Sequence, residues 1–436
     1  MIATNIGRTF LNAYNEKYKK SYSAKEFFVE VYFSLFFDHE KYMQWVTNSP
    51  FNPGNHLGDV SAVGRQSKLQ NFINSISQNK LDEKNVIGFS VLDPLGTTSG
   101  QITNMKLPIG EEEAYFSWIG SGFGLEMGGI SMLIDNKQLL LDIFDGWQLY
   151  RNFLNNISQI EKGNQIDKWN SQWISHKYDS RKYDVNNPTA HFTPLVPTKT
   201  GKLTVGHRSW VEVLVGLAKK YPNTVYTSYV YKLGFNTPNT TIGFIEIFFP
   251  MITYTFDLYI KYFGTTDNEK IKKVFGTAIG FTKACQMGAI GVNALEPSSF
   301  KDYFKNGKIP KYDDSSEEKK INFNTYQIWL LAMLNNENLW EQAHQIAETL
   351  SDCSKSKNAS EKKSGAKTDK RRDVEKLLAS VNKKQFIDGL TTLVEDNQDV
   401  ENLNQIAQMI HSMPVDNVSY FLTLIRFQYA VVSKKS

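Results

Sequence analysis

Amide, hydroxyl and basic side chains gather in three short stretches of the sequence. Asn and Gln amides suit the edges of nucleic-acid bases, and Lys and Arg suit phosphate oxygens, so such mixtures are typical of nucleic-acid interfaces. The first patch consists of Arg65, Gln66, Lys68 and Asn71, the second of Thr97, Thr98, Ser99, Gln101, Asn104 and Lys106, and the third of Lys199, Lys202, His207 and Arg208. For any one patch, an ordinary solvated surface is the commoner alternative.

A basic run near the end of the chain offers positive charge without a recognition pattern. Residues 355–372 contain eight Lys or Arg against two acids, Glu361 and Asp369. The basic residues are Lys355, Lys357, Lys362, Lys363, Lys367, Lys370, Arg371 and Arg372. Their charge would attract a polyanion in a salt-dependent way, and a plain flexible linker is the equally weighted alternative. We expect residues 354–372 to form a disordered tether.

Motifs for catalysis, metal or cofactor binding are missing. The glycines between Gly120 and Gly129 lack the third glycine of a dinucleotide loop and the Lys-Ser/Thr of a P-loop, so they indicate a tight turn where backbones pack closely. The serine-hydrolase pattern G-x-S-x-G and the zinc motif H-E-x-x-H are both absent, and the seven His residues are scattered. The sequence therefore predicts no catalytic residue, no metal and no cofactor, although paired carboxylates could still converge from distant positions.

Composition places the chain among ordinary globular proteins. Its 436 residues are 41% hydrophobic and 22% charged, and the net charge of +4 permits nucleic-acid binding without requiring it. Two cysteines, Cys285 and Cys353, fit a reducing, cytoplasmic setting, and the N-terminus has no apolar signal-peptide core. The apolar stretch 242–260 carries Glu246, Pro250 and Asp257, which favours a buried strand and helix over a membrane span.

Local patterns predict helices and short strands through the first three quarters of the chain. Ser23 and Glu26 form a capping box that should start an aromatic-rich helix reaching about residue 38. Further helices are predicted at 40–46, 65–78, 139–154, 205–219 and 271–290, and strands at 86–92, 225–233 and 241–249. We expect residues 160–200 to be a polar, irregular loop or insertion.

From residue 321 onward the apolar residues follow helical spacing almost throughout. Stripes such as Val418, Phe421, Ile425 and Tyr429 predict four or five amphipathic helices, enough for a bundle. The expected fold class is α+β, with a large mixed body over residues 1–320 and an all-α bundle over residues 321–436. The body would carry nucleic-acid recognition and assembly, and the bundle would contain the basic tether.

Three features together resemble the large subunit of type I CRISPR interference (Cascade) complexes. They are the opening TNIGRTFLNAYNEKY…SAKEFFVEVYFSLFF, the hairpin-like VYKLGFNTPNTTIGFIEI at residues 230–247, and the final helical bundle. The resemblance implies a non-catalytic subunit that contacts CRISPR RNA, target double-stranded DNA and other backbone subunits and helps to recruit a helicase-nuclease in trans. A polar loop would read the protospacer-adjacent motif, and the bundle would guide the displaced strand.

The motif-reading loop is predicted from the chemistry of its side chains and not from the resemblance. Residues 97–104 are free of acids and rich in amide and hydroxyl groups, which suits base readout. Two alternatives stay open. One is an enzyme, a hydrolase or nuclease, with an active site assembled from distant residues, which a pocket holding two of His56, His176, His191 and His207 with carboxylates would favour. The other is a structural or scaffold protein without a shared positive surface.

Overall fold

A mixed β-sheet with helices around it is followed by a long run of helices, which confirms the predicted α+β class. The computed structural model describes residues 2–46, 49–51, 61–78, 85–88, 102–104, 109–232, 240–264, 268–355, 370–395 and 400–435. Its contacts divide into two compact units. The first comprises Met1–Pro250 and Gly280–Ile290, and the second comprises Met251–Ile279 and Gly291–Ser436. The second unit therefore begins earlier than the predicted boundary at residue 321.

The elements up to residue 248 all belong to the first unit. They are α1 (Ile2–Tyr18), α2 (Ala24–Phe27), a π-helical turn (Phe28–Tyr32), α3 (Phe33–Phe36), α4 (Ala62–Ser77), α5 (Glu111–Ser121), β1 (Leu125–Met127), β2 (Ile130–Ile134), α6 (Lys137–Asn156), α7 (Ile166–Lys177), β3 (Leu195–Pro197), β4 (Leu203–Val205), α8 (Trp210–Lys220), β5 (Val225–Lys232) and β6 (Thr240–Phe248). There follow α9 (Phe249–Phe263), α10 (Asn268–Val274), α11 (Phe281–Gln286), β7 (Ala289–Ile290), a 3₁₀ turn (Val292–Leu295) and α12 (Phe300–Asn306).

The main sheet has the strand order β1-β2-β5-β6-β7, with antiparallel pairs except between β6 and β7. Strands β1 and β2 form a tight hairpin in which Met127 pairs with Ile130. The two turn residues between them, Gly128 and Gly129, have φ values of 63° and 84°. A two-residue turn with both φ values positive is the type I′ geometry that glycine accommodates best. The predicted tight turn in the glycine-rich segment is thus confirmed.

Close backbone packing, the second expectation for this segment, is also found. A Cβ atom on Gly120 would lie 1.8 Å from the carbonyl oxygen of Ala3, and one on Gly7 would lie 2.2 Å from that of Phe116. Helices α1 and α5 therefore approach each other at positions that only glycine permits.

Several sequence predictions are confirmed and others are wrong. The capping box of Ser23 and Glu26 is present, and the predicted helices at 65–78 and 139–154 and both long strands correspond to α4, α6, β5 and β6. The stretch 242–260 is the predicted strand followed by a helix. No helix forms at 40–46. The helix predicted at 205–219 is present as α8, but it begins at Trp210, and residues 203–205 form a strand. Residues 271–290 contain two short helices instead of one. Residues 86–88 are not a strand, and 89–92 lie outside the described residues.

The end of the chain forms the predicted bundle with one helix more than the upper expectation. The described residues contain α13 (Glu317–Leu334), α14 (Asn338–Lys355), α15 (Lys370–Leu378), α16 (Lys383–Glu395), α17 (Val400–Ser412) and α18 (Val415–Lys435). Both ends of the predicted tether are helical, because residues 354–355 close α14 and residues 370–372 open α15. In the part of the chain that the structure describes, no helix has the length and apolar run needed to cross a membrane.

Arg426 on α18 holds the second unit together by donating to backbone carbonyls. Its side chain is 0% exposed. Its guanidinium donates to the carbonyl oxygens of Leu378 at 2.9 Å, Ser380 at 2.8 Å and Tyr303 at 2.8 Å. Burial lowers its pKa to about 10. The carbonyls lie in α12 and at the end of α15, where helix carbonyls lack partners of their own, so one side chain ties three helices.

Replacing this arginine should be costly. We expect Arg426→Met to lower the free energy of unfolding by about 3 kcal/mol or more, because three buried carbonyls lose their donor. Urea denaturation followed by circular dichroism measures the change. The control is Arg371→Met, whose side chain is 73% exposed and pairs with Glu375 on the surface; it should cost less than about 1 kcal/mol. Equal effects of the two variants would contradict the assignment.

Candidate nucleic-acid interface

Strands β3 and β4 form a separate two-stranded hairpin, here called the basic hairpin (residues 195–205). Its register pairs Leu195 with Val205 and Pro197 with Leu203. At the tip, the N–H of Thr198 donates to the carbonyl oxygen of Lys202 at 2.7 Å, which closes the turn. Lys199, Thr200, Gly201 and Lys202 are all exposed.

The base of the hairpin is fixed by two glutamines of the α7 segment. The amide oxygen of Gln165 accepts from the Thr204 hydroxyl at 2.6 Å and from the N–H of Val205 at 3.1 Å. The amide nitrogen of Gln172 donates to the carbonyl oxygen of Gly206 at 2.7 Å. Val205 is 0% exposed, so the strand end is buried as well as hydrogen-bonded. The tip is consequently presented on a braced stem.

The preceding chain adds a second brace on the other side of β4. The N–H of Leu203 donates to the carbonyl oxygen of Gln159 at 2.9 Å, and the carbonyl oxygen of Leu203 accepts from the N–H of Glu161 at 3.0 Å. An isolated two-stranded hairpin is marginally stable in water. These contacts explain how a short hairpin holds one geometry here.

The third predicted patch divides into two parts with different roles. Lys199 and Lys202 form no ion pair with any residue that the structure describes, and both side chains are open to solvent. Arg208 instead donates to the Gln172 amide oxygen at 2.8 Å and to Glu212 at 3.3 Å. The guanidinium of Arg208 thus supports the hairpin's base, and its contact with DNA stays a prediction.

The first predicted patch lies on α4. Arg65 pairs with Asp38 at 3.2 Å, and the Lys68 ammonium lies 5.9 Å from the ring centre of Tyr42. Gln66 and Asn71 are exposed. Part of this patch is thus used within the protein, and its two amide side chains face solvent.

Most of the second patch and of the basic run lies outside the described residues. Asn104 is described and exposed. The others of the second patch, Thr97, Thr98, Ser99, Gln101 and Lys106, lie outside, as do Lys357, Lys362, Lys363 and Lys367 of the run. Lys355, Lys370, Arg371 and Arg372 lie in helices, and Arg371 pairs with Glu375 at 3.0 Å. Their roles in nucleic-acid binding stay predictions.

A cluster of acids lies beside the hairpin's base, where β1, β2 and α7 meet. Ser131 donates a hydrogen bond to Asp167, and the N–H of Gly129 donates to Glu126. His207, which follows the hairpin, has its Nδ1 atom 3.3 Å from the carboxylate of Glu126. Desolvation raises the pKa of Asp167 to about 7, the nearby negative charge of Glu126 adds to the rise, and the hydrogen bond from Ser131 opposes it.

An enzyme would be favoured by a pocket that holds two of His56, His176, His191 and His207 together with carboxylates. The described histidines do not form such a pocket. His176 is buried, and its Nε2 atom lies 2.9 Å from the carbonyl oxygen of Pro188 in an aromatic cluster. His191 is exposed, and His56 lies outside the described residues. Only His207 of the four meets a carboxylate among the described residues. No group of three or more potential metal ligands occurs in the described part of the chain.

Sequence reasoning missed α7, the helix that organises this region, and assigned residues 160–200 to irregular structure. The signal that was present is the spacing of Ile166, Trp169 and Trp173, which all fall on one helical face and are at most 2% exposed. The polar residues between them, Asn170, Ser171 and Gln172, suggested a loop. All three are buried and hydrogen-bond to the backbone of other segments.

The brace can be tested without changing charge. Gln165→Ala removes both hydrogen bonds to β4, so we expect the amides of residues 195–205 to exchange with deuterium about tenfold faster, a loss of about 1.4 kcal/mol in local stability. Hydrogen-exchange mass spectrometry measures this. Gln148→Ala on the exposed face of α6 is the control. Unchanged exchange in the hairpin would refute the bracing role.

The acid cluster predicts a pH dependence of stability. An acid whose pKa is raised on folding binds more protons in the folded chain, so Asp167 costs stability as pH rises from about 4 to about 7. Asp167→Asn keeps an acceptor for Ser131 and removes the charge. We expect it to stabilise the protein by on the order of 2 kcal/mol more at pH 8 than at pH 4.5. Urea denaturation at both pH values, with the exposed Asp135→Asn as control, checks this, and parallel pH profiles for wild type and Asp167→Asn would contradict it.

Comparison with known proteins identifies no family or relative of this chain. No protein-family model, curated protein or solved structure matches the chain. A function for the chain is therefore inferred from its own residues and from the resemblance in its sequence.

Proposed function

We propose that the chain is a non-catalytic DNA-recognition subunit of an RNA-guided complex, the large subunit of a type I CRISPR interference complex. The observation that carries DNA recognition is the basic hairpin, whose exposed tip holds two lysines that form no ion pair with the described residues, on a braced stem. A two-stranded β-ribbon fits the major groove of B-DNA. Lys199 and Lys202 would contact phosphates, and the hydroxyls of Thr198 and Thr200 would reach base edges.

Rigidity is what makes the hairpin a better candidate than the other basic residues. A surface lysine on a flexible stem contributes attraction but not register. The hydrogen bonds of Gln165 and Gln172 fix the hairpin's direction, so contacts at its tip would have a defined position on the duplex. Reading of the adjacent motif in target DNA would combine this hairpin with the loop around Asn104, which is exposed.

The other parts of the proposal come from the sequence resemblance. In RNA-guided systems the protein reads a short motif and DNA shape, and base pairing by the guide reads the rest of the target. CRISPR RNA, the complex's backbone subunits and a helicase-nuclease recruited in trans are the proposed partners. The basic run at residues 355–372 would supply non-specific attraction to nucleic acid.

One observation favours the enzyme alternative over the scaffold alternative. Glu126 and Asp167 are 41 positions apart in the sequence yet act on each other electrostatically, and Glu126 also meets His207. A carboxylic acid with a raised pKa beside a second carboxylate is a pattern that acid-base catalysis uses. Hydrolysis of RNA or DNA by the purified chain, lost in Glu126→Gln, would replace our proposal with a nuclease.

The two hairpin lysines give the quantitative test. We expect Lys199→Gln with Lys202→Gln to weaken binding to a short DNA duplex about tenfold and to reduce the slope of log affinity against log salt by about 2, since each lost phosphate contact removes about one. Fluorescence anisotropy at several salt concentrations measures both. Lys20→Gln with Lys137→Gln, an equal charge change at exposed positions of the same unit, is the control. Equal losses for the two pairs would contradict the hairpin assignment.

Membership of a complex needs a separate experiment. The chain is co-expressed with the proteins encoded beside it and purified through a tag, and bound nucleic acid is sized. RNA of uniform length in the purified assembly would support the proposal. A chain that purifies alone and ignores DNA at low salt would refute it.

A further inference from the structure

One face of the β5–β6 pair is aromatic and is exposed to solvent around Phe244. Tyr229 lies directly opposite Phe244 across the two strands, with ring centres 5.5 Å apart. Phe244 is 60% exposed and Val225 on the same face is 47% exposed. Exposed apolar residues that are contiguous mark interaction sites more often than isolated ones do.

An acidic side chain that pairs with no described residue lies on this face next to the rings. Glu246 follows Phe244 by two residues, so both point to the same side of the sheet at a spacing of roughly 7 Å. Glu246 is exposed and lies opposite Thr227. Its carboxylate forms no ion pair or hydrogen bond within the part of the chain that the structure describes.

A ring beside a carboxylate at this spacing selects one kind of side chain. The planar guanidinium of arginine stacks on aromatic faces and also binds carboxylates through two parallel hydrogen bonds. A nucleic-acid strand would also stack on the rings, but its phosphates would lie beside an unneutralised carboxylate. Charge complementarity therefore favours a basic protein partner over nucleic acid.

We propose that this face is a protein-docking surface that receives an arginine of a partner protein, held between the Phe244 ring and the Glu246 carboxylate. Val225 and the half-buried Phe248, which pair with each other, lie on the same face around this site. Aromatic residues and arginine dominate binding energy at the centres of interfaces, with apolar neighbours that exclude water. The surface is separate from the basic hairpin, so this inference does not depend on DNA binding.

The test selects binding peptides on the full-length protein and asks whether they contain arginine. A displayed library of random dodecapeptides is selected on the wild-type protein, after depletion on the double variant Phe244→Ala with Glu246→Gln. The enriched peptides are expected to share an arginine. Replacing that arginine by citrulline, which keeps the shape and removes the charge, should weaken binding at least tenfold. Enriched peptides without arginine, or no enrichment over the depleted pool, would overturn the proposal.

Single variants then separate the two halves of the site. Glu246→Gln should weaken an enriched peptide about tenfold by removing the charged acceptor, and Phe244→Leu should weaken it about twofold to fivefold by removing the stacking face while keeping an apolar side chain. Glu161→Gln, at another exposed glutamate of the same unit, is the matched control. Circular dichroism establishes that the variants fold, so a loss of binding is not a loss of structure.

Two further measurements distinguish other occupants of this face from an arginine-bearing protein. If single-stranded nucleic acid binds here, removing the carboxylate should strengthen binding of a fluorescent 15-nucleotide strand, while Phe244→Ala should weaken it. If a second copy of the chain binds here, analytical ultracentrifugation should show a dimer that Phe244→Ala dissociates. Either result would replace the arginine-bearing partner by that occupant and overturn the proposal.

Discussion

The first unit depends on the way α7 uses its polar side chains. Asn170 donates to the carbonyl oxygens of Gly122 and Gly124 at 2.8 and 2.9 Å, Ser171 bonds to the backbone of Glu126, and Gln172 bonds to that of Gly206. A buried backbone group without a partner costs about 1–3 kcal/mol. One helix thus donates hydrogen bonds to backbone carbonyl groups of non-helical segments on both of its sides. These bonds position the glycine-rich segment and the base of the basic hairpin.

The same constraint explains why charge in the sequence is a poor guide to the interface. Arg426 donates its hydrogen bonds to backbone carbonyl oxygens. Arg151, which is 2% exposed, likewise donates to the carbonyl oxygens of Leu35 and Lys41. Arg65 and Arg208 pair with acids of the same unit. Arg426 and Arg151 are buried and do not face solvent, whereas the lysines at the hairpin tip do. Surface charge becomes informative only after the internal partners have been assigned.

Sequence patterns predicted the elements whose burial is one-sided. The helix from residue 65, the two long strands and helices α14 and α17 of the terminal bundle bury one face, and the resulting periodicity is readable. Helix α18 was also predicted, although it is buried all round from Phe421 to Tyr429, because most of those residues are apolar. Helix α7 was missed because both its faces are buried and its polar face satisfies backbone groups far away in sequence. The cross-strand pair of Tyr229 and Phe244, the convergence of Glu126 with Asp167, and the braces of the hairpin all arise from such distant contacts, which no local pattern encodes.

The proposed contact between the tip of the basic hairpin and duplex DNA is tested most directly by a cross-link at the tip. Cys285 and Cys353 are buried, so Thr200→Cys at the exposed tip can be labelled selectively with a photoactivatable aryl azide. Irradiation of the labelled chain with a short duplex should give a cross-linked product that unlabelled duplex suppresses and high salt removes. Duplex binding without any cross-link from this position would contradict the account.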